Sequence, residues 1–419
     1  MSTAQHRTIS LRGTQHSQGG HTLNDDGVVL DLSALNHMSM VAPDVIRIQA
    51  GARWKQVIEY LDPLGWSLAV VQSDCDFSVG GSIAVNAHGW QFNKPPIIGT
   101  VEGLHLLLAD GTLRYCSRHQ HAELFKAVIG GYGLLGIIID VDLKVTRNGA
   151  YQLKQWVIES TDFLPLYQQI KQNQQAELFF GRFSLHRDHF LRSIIVRLYE
   201  NQDQPLTGST MTDHQWYQGI TNWFFAQTYG SNFFKKLRWL LESSSWLSKL
   251  YQYLSRNQLL YHTTSNYVTQ NSEQVDLLQE FFIPLQQFKP FVDFLQSLHP
   301  DLSKPLMNIT IRDLQPDQES LLRYAPEERI AFVMFFRGPK TVAFERELRT
   351  TVLKITDRAL ALGGSYYLPY RAYQTKQQFS TAYPQQQQFK TLIKRYNPQG
   401  VFMNQFYKNY LGDILLPDH

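Results

Sequence analysis

Two runs of the sequence are stripped of side chains beside a histidine: RGTQHSQGG at residues 12–20 and SVGGSIAVNAHG at residues 78–89. Glycine costs backbone entropy wherever it is ordered, so bare chain of this kind suggests close approach by another strand, a tight turn or a flat ligand. Turns of the first type offer several backbone N–H groups without obstruction and can wrap an anion, most often the phosphates of a nucleotide. No Gly-Lys-Ser/Thr follows either run, and no G-x-G-x-x-G sits in a βαβ unit, so neither a Walker loop nor a Rossmann fingerprint is present. His88 closes the second run. An imidazole there can take a hydroxyl proton near neutral pH, or simply hold the loop through a backbone hydrogen bond. Glu280 and Arg312 stand on apolar strands, LQEFFIP and TIRD, as polar residues able to touch a substrate or to serve the fold.

The elements that must position these residues can be read coarsely. RWKQVIEYLDPLG (53–65) is an amphipathic helix stopped at Pro63 and Gly65. VEGLHLLLADGTLRYCS (101–117) is a hairpin turning at Asp110-Gly111. HAELFKAVIGGYGLLGIIIDVDLKV (121–145) starts helical, passes four glycines and ends as an apolar strand. After about residue 150 glycines thin out, and alternating strands such as LMNITIRDL and RIAFVMFFR lie among long helices, which predicts an antiparallel sheet with helices on one face. The tail from Tyr383 reads as one helix ended by Asn397-Pro398 and a short ordered segment.

Composition bounds the function. At 419 residues and 43% hydrophobic content the chain can bury a large core in two domains. A charge of +3 is too mild and dispersed for a nucleic-acid binder. Two cysteines, Cys75 and Cys116, make neither a disulfide framework nor a zinc site, which fits a cytoplasmic setting. No apolar h-region opens the sequence and no run of some 18 apolar residues interrupts it. Residues 215–260 hold Trp216, Trp223, Trp239 and Trp246 among Lys235, Lys236, Arg238, Lys249 and Arg256. That pattern suits a basic amphipathic helix on the inner face of a membrane. It equally suits a helical cap over a pocket, with buried aromatics and solvated lysines.

The two bare runs, followed by GGYGLLGII (130–138) and by YYLPYRAY and NPQGVFMNQFY in the tail, occur here in an order that resembles the vanillyl-alcohol-oxidase family of FAD-binding oxidoreductases. The resemblance is to its decaprenylphosphoryl-ribose oxidase, cytokinin dehydrogenase and aldonolactone oxidase branch. It implies an α+β fold: a PCMH-type FAD-binding domain over 1–148, a substrate or cap domain over 149–365 with an antiparallel sheet flanked by helices, and a C-terminal segment, 366–419, returning to the first domain. Only eleven residues precede Arg12, where such proteins place a β-α-β subdomain, so the FAD domain reads as N-terminally shortened. The resemblance assigns the cofactor to Gly13, Thr14, Gln15, His16, Ser17, Gly19 and Gly20 in the first loop and to Ser78, Gly80, Gly81, Ser82 and Asn86 in the second. Gly136, Ile138 and Asn404 complete the set. His16 stands where relatives bond the flavin covalently; a loop histidine that hydrogen-bonds a phosphate oxygen is the other reading. Cys75 reads as an inert thiol.

Tyr370 stands where several relatives carry a lysine or histidine, and a phenol can donate to a substrate oxygen without supplying fixed charge. The implied activity is oxidation of a CH–OH group on a sugar, polyol or lipid-linked sugar alcohol, with His88, Tyr370, Arg312 and Glu280 around the substrate. Electrons would pass on to oxygen, a quinone or another carrier, and no metal is called for. Amine oxidation of the cytokinin-dehydrogenase kind and a non-catalytic flavoprotein subunit at a membrane stand as alternatives.

Overall fold

A computed structural model describes residues 7–206, 218–244, 253–264, 267–269 and 271–412. The chain is α+β and built on two antiparallel sheets, with a two-stranded parallel ribbon, Ile9–Arg12 beside Val28–Asp31, at the start. The first sheet has six strands. Five lie in the order Met38–Ala42, Val45–Gln49, Ile137–Arg147, Val101–Leu107 and Leu113–Ser117, and Trp66–Leu68 pairs with the long central strand. The hairpin forms at Asp110-Gly111 as the sequence suggests. Gly111 takes a φ of +81°, which suits a residue without Cβ, and the Asp110 carboxylate accepts from the Thr112 amide at 2.9 Å.

The helix Trp54–Leu61 buries Trp54, Val57, Ile58 and Leu61, the i, i+3, i+4, i+7 stripe of an amphipathic helix. Pro63 and the left-handed Gly65 then turn the chain away. The second bare run differs from expectation. Residues Val79–Ala84 are a short helix rather than an open loop, and much of its bareness is internal. A Cβ on Gly80 would lie 2.6 Å from that of Ala50, whose carbonyl accepts from the Gly80 amide at 2.7 Å. A Cβ on Gly13 would lie 2.0 Å from Ser78 Oγ, so the two bare runs press on each other. Gly81 is different: Ser78 Oγ alone stands near its missing Cβ, so that side is open.

The second sheet has eight antiparallel strands, in spatial order Tyr253–Ser255, Gly149–Glu159, Ser193–Pro205, Ala176–Phe183, Leu306–Leu314, Arg329–Pro339, Gln274–Pro284 and Ser365–Tyr366. One face lies under the helices Phe163–Lys171, Phe288–Ser297 and Val342–Ala361; Phe163 stacks on Phe288, and Phe291 meets Phe332 edge-on. The other face looks into a cavity shared with the first sheet.

Residues 70–92 form a seam between the two sheets. Trp90 C=O accepts from the Phe179 amide at 2.8 Å, and Phe92 N–H donates to Glu177 C=O at 2.7 Å. The tail returns to the start of the chain: Met403 N–H donates to Ile9 C=O at 2.9 Å.

The aromatic, basic stretch is corrected in one respect. On the helix Asn232–Ser243 the Lys235 ammonium is buried, donating to the carbonyls of Ser303 and Leu306, the latter at 3.0 Å. Arg238 donates to Glu242, and Arg256 is buried against Glu177. These three cations are used inside the protein, whereas Lys236 is exposed, and the apolar Trp223, Phe233, Leu240 and Leu241 face out with it. Trp216, Trp246 and Lys249 lie outside the described residues. Among the described residues no helix is long and apolar enough to cross a membrane.

Candidate active site

A cavity of about 1960 Å³ lies between the two sheets. That is roughly twice the upper end of a usual small-ligand pocket and leaves room for a dinucleotide and a second molecule. Its wall on the first-sheet side is built from the bare runs. Gly13, Thr14, Gln15, His16 and Ser17 line it, as do Ser78, Gly80, Gly81, Ser82, Gly136 and Ile138. Gln15 takes a left-handed φ of +58°, and Thr14 Oγ1 accepts from the Ser78 amide at 3.1 Å, which ties the two runs together.

Four residues expected here do not line the cavity. Gly19 packs against the C-terminal segment, its amide donating to Pro369 C=O at 3.1 Å, and Gly20 is the turn residue beside it at φ +76°. Asn86 holds the end of the short helix: its amide donates to Asp317 at 2.8 Å and its oxygen accepts from the Ile98 amide. Asn404 donates to Tyr132 C=O at 2.8 Å and caps the tail. Each satisfies backbone or side-chain groups of the fold itself.

His16 stacks on Phe77 at 4.0 Å with its Nε2 3.9 Å from Asp76. Burial lowers its pKa, and the neighbouring Asp76 only partly opposes this. Burial also pushes the Cys75 thiol up to about 12, assisted by Asp76 and Asp74, which leaves it inert as expected.

The opposite wall carries a cluster of titratable groups. His88 Nε2 lies 2.8 Å from Glu280 Oε1, and Tyr370 Oη donates to Glu280 Oε2 at 3.2 Å. The His88 contact is an ion-pair distance with the ring turned off the ideal hydrogen-bond line, so Oε1 has no well-aligned donor. The three residues come from the end of the short helix, the strand Gln274–Pro284 and the segment after Ser365–Tyr366. His88 is held edge-on by Phe282 and Tyr367, with Nδ1 3.3 Å from Gly89 C=O.

Burial alone would raise the Glu280 pKa, but His88, Arg312 and Tyr370 outweigh it and hold the carboxyl below its ordinary value. Burial, and then Glu280, keep the Tyr370 phenol far above its ordinary value and hence protonated. Arg312 lines the cavity with its Nε buried and unpartnered. Arg371, beside Tyr370, turns instead to Glu345 at 3.3 Å.

The sequence reading missed Asp74, Gln72 and Tyr267. Tyr267 donates to Asp74 at 2.6 Å on the same wall. Both amide atoms of Gln72 are buried without a partner, as is Arg312 Nε, so the cavity holds polar atoms that the protein alone leaves unsatisfied. The only signal near Asp74 and Gln72 was Cys75, and nothing in the sequence joined position 74 to position 267.

Bare backbone on one wall, buried titratable side chains on the other and a dinucleotide-sized space between them make up a candidate nucleotide-cofactor site. Residues 1–117 match the FAD binding domain family, which gives the chain an FAD-binding domain with FAD as its cofactor. The open face of Gly81 and the unsatisfied polar atoms fit such a group.

The chain is 30% identical over 148 residues to an uncharacterized oxidoreductase of the fasciation locus of Rhodococcoides fascians, an overlap of 34% of this chain and 33% of that one. It is 29% identical over 144 residues to decaprenylphosphoryl-beta-D-ribose oxidase of Mycolicibacterium smegmatis, covering 33% and 31%. To L-gulonolactone oxidase of Mus musculus it is 25% identical over 249 residues, covering 57% and 51%. The matches thus span between about a third and half of the relatives' own length.

Proposed function

We propose that the protein oxidises a CH–OH group of a sugar-like substrate, and that Glu280 is the base that receives the hydroxyl proton. FAD, when bound, supplies a two-electron acceptor for the hydride that leaves the carbon. Gly13 to Ser17, Ser78, Gly81, Ser82, Gly136 and Ile138 are the residues that would hold it. The observation that carries the reading is the His88–Glu280–Tyr370 cluster on the wall facing the bare runs. Glu280 stays ionised, so it can accept a proton at Oε1 or Oε2; Tyr370 stays protonated, so it can donate to a substrate oxygen. His88 positions the carboxylate, since its two nitrogens face Glu280 and Gly89 C=O. Related proteins named as ribose and gulonolactone oxidases support a sugar-like alcohol as substrate.

Glu280→Gln removes the base while keeping size and polarity, and should lower the rate of flavin reduction by about 10²- to 10⁴-fold. The measurement is anaerobic bleaching of bound flavin by a panel of aldoses, lactones and polyols. Glu280→Gln protein that binds flavin and is reduced at the wild-type rate would sink the assignment. A carboxylate base favours one other reading, amine oxidation, and secondary amines in the same panel separate the two. His16 is the proposed point of covalent attachment. Its neutral ring is the nucleophilic form, and acid precipitation of holoprotein should leave flavin in the pellet for wild type and in the supernatant for His16→Ala.

A further inference from the structure

The strand Leu306–Leu314 alternates strictly between two environments. Ile309 and Ile311 are buried in the core, whereas Asn308, Thr310 and Arg312, on the other face, line the cavity. Glu280 pairs with Val333 and Val333 with Thr310, so the proposed base and Thr310 stand in one cross-strand row. Arg312 lies two residues further on, about 7 Å along the strand and on the same face.

Arg312 lacks the partners a half-buried guanidinium usually finds. Its Nε is buried and unsatisfied, and among the described residues the group makes neither a hydrogen bond nor a close ion pair. It reaches Glu280, Asp74 and Tyr370 through its charge alone. Asp74 is half satisfied: Oδ2 accepts from Tyr267 at 2.6 Å, while Oδ1 has no donor among the described residues. Glu280 is in the same condition, with Oε2 facing Tyr370 and Oε1 lacking a well-aligned donor.

One arginine acting on two carboxylates, each with an open oxygen, limits what can complete the site. An anionic group would gain Arg312 but face Asp74 and Glu280. A hydroxyl meets both needs, because its oxygen accepts from the guanidinium and its proton goes to a carboxylate. Two carboxylates call for two hydroxyls. The parallel N–H bonds of a guanidinium fit two oxygens held close together, and hydroxyls on adjacent carbons present such a pair.

We propose that Arg312 and Asp74 form a subsite for the hydroxyl next to the one oxidised, which makes the substrate a vicinal diol. The assignment rests on the oxidoreductase reading and names its substrate class. The reacting CH–OH becomes a carbonyl by giving its hydroxyl proton to Glu280 and a hydride to the flavin. Its neighbour stays a hydroxyl, donating to Asp74 and accepting from Arg312.

Titration calorimetry of the FAD-loaded protein with cyclohexane-1,2-diol, cyclohexane-1,3-diol and cyclohexanol tests it, since the three share a ring and differ only in the second hydroxyl. The adjacent diol should bind roughly tenfold or more tightly than either of the others. Arg312→Ala and Asp74→Ala should each bring it down to the level of cyclohexanol. Added guanidinium ion should restore the preference in Arg312→Ala and not in Asp74→Ala, which a merely structural role would not produce. Equal affinities for the three compounds, no binding of the adjacent diol, tighter binding of 2-hydroxycyclohexanecarboxylate than of the diol, or variants that lose flavin rather than diol would overturn the proposal. Bleaching of the flavin by the same diol reports separately on the oxidoreductase reading: tight binding without bleaching keeps the diol subsite and loses the oxidation.

Discussion

Asp74 shows what the cavity costs. Burial, chiefly, and the neighbouring Asp76 push its pKa from 3.8 to about 6, against the hydrogen bond from Tyr267. Between those values the folded protein holds a proton that the unfolded chain has released. Stability therefore falls as pH rises from about 4 to 6, by up to about 3 kcal/mol, and less to the degree that cavity water reaches the carboxylate. Asp74→Asn should remove that slope, so urea midpoints of wild type and variant converge near pH 4 and separate, with the variant more stable, near pH 7; parallel curves across the window would refute the assignment. Glu280 acts with the opposite sign. Its lowered pKa contributes stability that is present at neutral pH and lost only as pH falls below the ordinary carboxylate range. Residues of both kinds were unequally legible. His88 announced itself by ending a glycine run and Glu280 by breaking an apolar strand, whereas Asp74 and Tyr267, 193 positions apart, have a shared role only in three dimensions.

Elements were easier to read than the direction their charges face. The stripe of Trp54–Leu61 and the Asp110-Gly111 turn follow from local rules, because both are fixed within a few residues. The helix Asn232–Ser243 obeys the same periodicity, but its polarity is inverted. Lys235 enters the protein because carbonyls of Ser303 and Leu306, at the end of one helix and the start of a distant strand, need a donor. Sequence spacing holds no trace of that need. Lys235→Ala should cost about 1–3 kcal/mol through the two orphaned carbonyls, while Lys236→Ala, at an exposed position, should stay within about 0.5 kcal/mol. Thermal denaturation of the two variants decides, and equal melting temperatures would return Lys235 to the surface. The same logic applies to Gly80. An added methyl must displace Ala50, a backbone-anchored contact, so Gly80→Ala should shift the short helix and weaken flavin retention, whereas Gly81→Ala meets no backbone and acts on the cofactor side.

The molecule as a whole is two sheets that share one cavity, and few backbone bonds join them. Residues 70–92 contribute the Trp90–Phe179 and Phe92–Glu177 bonds, and Gln18 accepts from the Leu278 amide at 2.9 Å across the gap. Gln18 lies in the first bare run, and Leu278 is two residues from Glu280, so the loop expected to hold the cofactor is bonded to the strand that bears the proposed base. A ligand gripping the bare runs should therefore order both halves and not the first alone. Binding to the folded state at 100 times the dissociation constant adds about 2.7 kcal/mol of stability. If the halves are coupled through Gln18 and the seam, FAD should slow amide exchange in the strand Gln274–Pro284 as well as in residues 11–18 and 78–84. It should also raise a single melting transition by a few degrees. Gln18→Ala should leave FAD bound but confine the protection to the first sheet and broaden or split the transition. Protection confined to the first sheet in the wild type would mean that the cavity is a meeting of two independent surfaces, and that Glu280 is positioned by its own sheet before any cofactor arrives.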